Sequence, residues 1–114
     1  MLRKFFPLLL FILVLSGPSF AQNRAIDSLF RRYNNASSDT QKVNTLNALF
    51  WRFNTNNSDS ALKIAQQALL LAEKINFLSG KLSASNNIGV IHFYKGNYTQ
   101  ALKFYIRTSY CYRA

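Results

Sequence analysis

Apolar residues recur along this chain at the spacing of amphipathic helices, and nowhere do they alternate as in a strand. In residues 24–34 they fall at i, i+3, i+4 and i+7, which places them on one helical face. The same test predicts further helices over 41–54, 59–76, 81–95 and 98–110. The breaks between these segments are short, and short connections make successive helices antiparallel neighbours. The predicted fold class is therefore all-α, with about five helices packed as antiparallel hairpins.

Small residues stand where the predicted helices would have to approach one another closely. Ala61, Ala65 and Ala68 lie on one stripe of the third predicted helix, and small side chains in a row let another backbone come near. Gly89 interrupts the apolar pattern of the fourth, where glycine costs about 1 kcal/mol relative to alanine. Its presence predicts a close helix crossing at this position.

The start of the chain, over positions 1–21, has the pattern of a secretory signal peptide. Arg3 and Lys4 form a basic start, an apolar run follows from Phe5 to Leu15, and small residues precede a cleavage site that we predict after Ala21. The run is shorter than the roughly 20 residues that span a bilayer as a helix. We therefore expect an exported protein, periplasmic or secreted, that is soluble after cleavage and has no membrane span in its mature part.

The net charge is strongly positive but is not concentrated. The chain has 14 Lys and Arg against 4 Asp and Glu, and removal of Arg3 and Lys4 leaves a formal charge of +8. The remaining basic residues are scattered, and only Arg31 and Arg32 are adjacent. Scattered charge is typical of a solvated surface, and an exported protein rarely meets nucleic acid, so we predict no nucleic-acid partner.

The residues needed for catalysis or for metal binding are missing from the sequence. His92 is the only histidine and Cys111 the only cysteine, so neither a metal cluster nor a histidine-supported triad can be assembled. The four acidic residues lie on different predicted elements, without a close pair for acid-base chemistry. We expect His92 to be a core histidine with satisfied hydrogen bonds. No enzyme activity, cofactor or metal is predicted.

An internal repeat appears when each position i of the sequence is compared with position i+40. The aligned identities are Asn47 with Asn87, Phe53 with Phe93, Asn57 with Asn97, Ala61 with Ala101, Leu62 with Leu102 and Lys63 with Lys103. This offset keeps helix on helix and turn on turn. The predicted organisation is an N-terminal helix and loop over 22–40, then two helical hairpins over 41–80 and 81–114.

The second hairpin resembles the tetratricopeptide repeat, whose pattern runs W-x2-L-G-x2-Y and then A-x3-F. The corresponding positions are Ser85, Ile88, Gly89 and His92 in the first part, Gly96 and Tyr98 at the turn, and Ala101 and Tyr105 in the second part. Serine at 85 replaces the tryptophan of the pattern, and histidine at 92 replaces its tyrosine. In the first hairpin Leu49 stands in the place of the glycine. The resemblance implies a short α-solenoid in which Gly89 and Ala101 meet at the crossing while Ile88, Tyr98 and Tyr105 fill the space around it.

The resemblance extends beyond the repeat. The export signal, "DTQKVNTLNALFWRF" and "ALLLAEKINFLSGKLSASNNIG" are similar to the exported N-terminal repeat segments of sensor histidine kinases and transcriptional regulators of Bacteroidetes-type bacteria. Two functions are implied. The chain is a scaffold that binds a protein or peptide, or it is the ligand-sensing front of a receptor whose membrane helix and effector are missing. The last predicted helix has apolar residues without a successor, which predicts an incomplete array and leaves self-association open.

The resemblance also implies where a ligand would lie. In this family, the side of the first helix that is turned away from its hairpin partner lines a concave groove. The implied ligand contacts are Asn86, Val90, Phe93 and Tyr94 on the second hairpin, and Phe53 and Asn47 on the first. The alternative for Val90 and Phe93 is packing against a neighbouring repeat.

Overall fold

The computed structural model describes residues 23–113 and the side chains of residues 23–109; the predicted signal peptide over 1–21 lies outside this range. The described residues contain five helices and no strand, which confirms the all-α prediction. The helices are α1 (residues 23–34), α2 (Asp39–Phe53), α3 (Ser58–Lys74), α4 (Leu78–Tyr94) and α5 (Tyr98–Arg113). In this part of the chain no helix combines the length and the apolar character needed to cross a membrane.

Polar side chains fix the starts of α2 and α3. The hydroxyl of Ser38 accepts a hydrogen bond from the backbone N–H of Gln41 at 3.3 Å, and the side-chain oxygen of Asn57 accepts one from the N–H of Ser60 at 3.1 Å. Each bond satisfies one of the backbone donors that a helix start leaves without an intrahelical partner. The polar breaks in the sequence therefore act as helix caps.

A Schellman motif ends α4. Gly96 has a φ of 80°, its N–H donates to the carbonyl of Phe93 at 3.0 Å, and the N–H of Asn97 donates to the carbonyl of His92 at 2.8 Å. These two bonds close the helix end when the residue after the cap is left-handed. Glycine adopts that conformation without steric cost, which explains its presence at this turn.

The same motif ends α3, with asparagine in place of glycine. Asn76 has a φ of 55°, its N–H donates to the carbonyl of Glu73 at 3.3 Å, and the N–H of Phe77 donates to the carbonyl of Ala72 at 2.9 Å. Asparagine is one of the few non-glycine residues that tolerate this region. The α3–α4 turn therefore lies at residues 75–77.

This turn corrects the boundary between the two hairpins. The sequence places Gly80 before a helix that starts at residue 81, whereas α4 begins at Leu78 and Gly80 is buried in its first turn. A Cβ atom on Gly80 would lie 2.5 Å from Val43 on α2 and 2.5 Å from Phe77. Glycine is present here because α4 starts in close contact with α2, rather than because a helix ends.

The two hairpins are α2 with α3 and α4 with α5, and α4 also packs against α3 and α2. The small stripe of α3 lies at the centre of this arrangement, where the alanines at 61, 65, 68 and 72 are fully buried. One core cluster joins Phe50 to Ile88 and Ile91, and a second joins Leu46 and Leu49 to the middle of α3 and α4. The row of small alanine side chains on α3 therefore lets the first hairpin and α4 pack around a shared core.

The hairpins pair large and small residues in opposite senses. A Cβ atom on Gly89 would lie 2.8 Å from the Tyr105 ring, so in the second hairpin the large side chain comes from α5. In the first hairpin, Phe50 of α2 is fully buried in one cluster with Ala61 and Ala65 of α3. In each hairpin a bulky ring packs against a small residue, which lets the two helices approach closely.

The repeat offset is not uniform along the chain. The second helices, α3 and α5, start at Ser58 and Tyr98, an offset of 40, but the first helices, α2 and α4, start at Asp39 and Leu78, an offset of 39. α4 is two residues longer than α2 and its connection to the next helix is one residue shorter, so the second hairpin has one residue more between its two helix starts, which accounts for the difference. Phe50 therefore takes the place of Gly89 in the first hairpin, and the prediction that Leu49 does so is wrong.

Candidate functional site

One side of α4 is open. Asn86 is exposed, Phe93 is half exposed and Tyr94 is 75 % exposed, while Val90 is half-buried against the core cluster of Phe50. The side of α4 that is turned toward α5 has the opposite character, since Ser85, Ile88 and Gly89 are buried. The residues expected in the groove thus lie on the open side of α4, with Val90 forming its floor.

An aromatic edge extends this surface onto α5. The ring of Phe93 meets the ring of Tyr94 edge-on at 5.9 Å and that of Tyr98 at 5.4 Å. Tyr98 was expected inside the hairpin crossing, but it is 63 % exposed. That expectation is wrong because Tyr98 is the first residue of α5, at the turn, and the ring over Gly89 belongs to Tyr105.

Asn47 joins α2 to α4. Its side-chain nitrogen donates to the carbonyl oxygen of Gly80 at 3.4 Å, and its side-chain oxygen accepts from the side-chain nitrogen of Asn87 at 3.4 Å. Both ends of the amide are therefore used within the fold. The structure gives Asn47 a role in helix packing in place of the ligand contact expected from the sequence.

Phe53 is also occupied within the fold. It is half-buried, packs against both core clusters, and meets the ring of Phe30 on α1 edge-on at 6.4 Å. The uniform offset of 40 equated Phe53 with Phe93. Because α2 and α4 are offset by 39, Phe53 corresponds instead to His92, which faces the hairpin partner, and its assignment to the groove is corrected.

Trp51 takes the open position on α2. It follows Asn47 by one helical turn, so it lies on the face of α2 beside α4, and it is 55 % exposed with its ring edge-on to Phe50 at 5.2 Å. The offset of 39 aligns it with Val90. Sequence reasoning missed Trp51, and the available signal was that it is the only tryptophan of the chain.

We define the groove surface as Trp51 on α2 together with Asn86, Val90, Phe93 and Tyr94 on α4. Its members are aromatic, aliphatic or neutral amide side chains, and none carries a charge. Aromatic rings supply large contact areas at interfaces, and an asparagine amide can donate to and accept from a peptide group. Such a surface suits contact with an uncharged, partly apolar segment.

His92 lies on the opposite side, against α5. Its ring stacks on Phe104 with centroids 5.8 Å apart and an angle of 13° between the planes. Its Nδ1 atom is buried and has no hydrogen-bond partner among the described residues. The expectation of a satisfied histidine is therefore wrong, because the stacking surface of Phe104 offers no donor or acceptor.

The described residues contain one ion pair, between Lys95 at the end of α4 and Asp59 in the first turn of α3, at 2.9 Å. The hydrogen bond and the positive charge of Lys95 lower the pKa of the Asp59 carboxyl below its ordinary value. In the same part of the chain no three His, Cys, Asp or Glu side chains come together as a metal site. The pair links the end of α4 to the start of α3 on the protein surface.

The chain matches a known protein family. A family model described as the SusR N-terminal TPR domain matches residues 20–107, which include α1 to α4 and most of α5. Comparisons with curated proteins and with solved structures gave no significant match.

Proposed function

Because this chain belongs to the SusR N-terminal TPR domain family, we propose that it is a non-catalytic scaffold that holds a protein or peptide segment on its groove surface. TPR domains are protein interaction modules, and α2 to α5 supply two such hairpins. The observation that carries the proposal is the exposure of Trp51, Phe93 and Tyr94 beside an exposed Asn86. Large rings are enriched in the centres of protein interfaces, where they fill pockets of the partner.

The setting of this scaffold is a second part of the proposal. We propose that the protein is exported and that it serves as the sensing part of a signalling protein, in line with a family that is named for an N-terminal domain. The export pattern in residues 1–21 supports this reading. Sequencing the gene beyond the codon for Ala114 tests it: an open frame with a membrane helix and an effector domain favours the receptor, and a stop codon favours the free scaffold.

A third part of the proposal concerns self-association. Tyr98, Leu102 and Ile106 follow each other at intervals of one turn along α5 and are 44 % to 63 % exposed. Leu62 on α3 is the equivalent of Leu102 in the repeat. It is half-buried against the core cluster that includes residues of α4. Among the described residues no helix covers this stripe as α4 covers α3, and we propose that a second copy supplies the cover.

Trp51 allows a direct test of the groove. Peptides are selected against the purified chain by phage display, and binding of the selected peptide is followed by the fluorescence of this single tryptophan. The double variant Asn86→Ala with Tyr94→Ala should weaken binding by about 1 to 3 kcal/mol and leave the helical content unchanged. The matched control is Leu70→Ala, since Leu70 is 67 % exposed on α3.

The Leu70→Ala control shows whether a loss of binding is specific to the groove surface. We expect Leu70→Ala to bind as the wild type does, while the double variant loses both affinity and the fluorescence change. A peptide that binds both variants equally, or that leaves Trp51 fluorescence unaltered, contacts another surface and refutes the groove assignment.

A further inference from the structure

A second concave feature lies between α1 and α2 and shares no residue with the groove surface. It is a cleft of about 600 Å³, within the range of small-molecule sites. Ser28, Arg31, Arg32 and Asn35 line it from the α1 side, and Gln41 and Asn44 line it from α2. Ser28 lies three positions before Arg31 and four before Arg32, so these three side chains share one polar face of α1.

The charge of the cleft has one sign. Arg31 and Arg32 are the only charged residues in its lining. Within the described residues the single ion pair is that of Lys95 with Asp59, so neither arginine is neutralised by a protein carboxylate, although Asp27 lies one turn before Arg31. A guanidinium presents five N–H donors in a planar fork that matches carboxylate and phosphate oxygens.

The neutral lining adds further donors. The side-chain oxygen of Gln41 accepts from the backbone N–H of Ser37 at 3.0 Å and from its hydroxyl at 3.1 Å. With its oxygen engaged, the amide of Gln41 has its NH₂ group left to donate. Asn44 and Ser28 contribute an amide and a hydroxyl nearby. The cleft therefore combines two cations with neutral hydrogen-bonding groups.

We propose that this cleft binds a small organic oxyanion. Arg31 and Arg32 pair with its carboxylate or phosphate group, and the side chains of Asn35, Gln41 and Asn44 bond to its polar body. The neutral polar groups beside the two arginines favour a ligand that has further polar groups in addition to its anionic group. This site goes beyond the proposed peptide groove, because it lies on other residues and selects for negative charge.

The test follows backbone amide resonances of the protein during titration with citrate and, separately, with glucose 6-phosphate, at constant ionic strength; neutral glucose is the third titrant. We expect saturable shifts confined to residues 28–45 with at least one anion and none with glucose. A response to citrate alone assigns a carboxylate ligand, and a response to glucose 6-phosphate alone assigns a phosphate ligand.

Two double variants that remove the same number of charges distinguish binding in the cleft from nonspecific electrostatic attraction to the protein. Arg31→Gln with Arg32→Gln removes two charges inside the cleft, and Arg24→Gln with Lys63→Gln removes two exposed charges outside it. The cleft variant should raise Kd about tenfold or more, and the control should change it by about twofold or less. Equal weakening in both, shifts scattered over all basic residues, or a linear response without saturation overturns the proposal.

Discussion

The side-chain nitrogen of Asn87 donates a hydrogen bond to the side-chain oxygen of Asn47 at 3.4 Å, so the two asparagines aligned by the repeat are bonded to each other. Asn87 is 3 % exposed, and Asn47 extends the contact to the carbonyl of Gly80. Gly80 and Asn87 are two turns apart on α4, so one amide of α2 holds α4 at two points. Polar residues thereby fix how the first helices of the two hairpins lie against each other.

Removal of Asn47 should therefore destabilise the fold. Asn47→Ala leaves the buried amide of Asn87 without an acceptor, and an unsatisfied buried polar group costs about 1 to 3 kcal/mol. The bonds are long, so we expect the lower end of this range. Urea unfolding of Asn47→Ala, Asn87→Ala and the double variant measures the coupling, and Asn44→Ala, at an exposed asparagine one turn earlier on α2, is the control. Strictly additive effects of the two single changes would contradict the network.

The two buried helical glycines should differ in their tolerance of alanine. A Cβ on Gly80 meets Val43 and Phe77, both at 2.5 Å, whereas the three atoms nearest to a Cβ on Gly89 all belong to the Tyr105 ring, the first at 2.8 Å. Gly80→Ala should cost about 1 to 3 kcal/mol through overpacking. Gly89→Ala should cost less, because one half-buried ring has room to move and alanine favours the helix by about 1 kcal/mol. Equal urea midpoints for the two variants would contradict the difference in tolerance that we assign to the two positions.

His92→Phe should stabilise the protein. The substitution keeps an aromatic ring against Phe104 and removes the buried Nδ1 atom that lacks a partner. The gain expected is about 1 kcal/mol, the scale of an unsatisfied buried polar atom. Thermal unfolding at neutral pH measures it. His92→Ala is the comparison, which should destabilise because it removes the stacking surface; a Tm of His92→Phe below the wild type would contradict the role given to Nδ1.

The sequence predicts the five helices of this fold because their apolar periodicity records which faces are buried. It also predicts the close crossing at Gly89, since a glycine inside a helix has few other reasons to be there. It fails at Asn76, where asparagine adopts a left-handed conformation that glycine usually marks. A propensity scale does not distinguish an asparagine in a turn from one within a helix.

The candidate site is less predictable from the sequence, because the rotation of a helix about its axis decides which of its side chains are exposed. The first hairpin has one residue fewer between its helix starts than the second, which rotates α2 by about 100° relative to the alignment. That rotation places Phe53 under α1 and leaves Trp51 open. The sequence contains both aromatic residues, but only the packing of α1 and α3 on α2 decides which one is free.

Phe53 and Trp51 should consequently separate stability from binding. Phe53→Ala removes a ring that packs on Phe30 and on both core clusters, and should cost about 2 kcal/mol, less than a fully buried phenylalanine. Trp51→Ala should change stability by only about 0.5 kcal/mol, as at an exposed site, and weaken binding of a selected groove peptide. Circular dichroism on urea unfolding and calorimetric titration measure the two effects. If Trp51→Ala instead lowered stability and Phe53→Ala weakened only peptide binding, the uniform repeat offset of 40 would be the correct alignment of α2 with α4.

Self-association through α5 should grow with ionic strength. The stripe of Tyr98, Leu102 and Ile106 offers apolar area, but α5 also carries Lys103 and Arg107 and no acidic residue, so two copies meet like charge. Raising the salt from about 50 mM to about 500 mM screens this repulsion while apolar burial persists. Sedimentation equilibrium should therefore show more dimer at high salt, and Leu102→Glu should abolish it. A dimer that dissociates as salt rises would instead be held by ion pairs, and the α5 stripe would not be its interface.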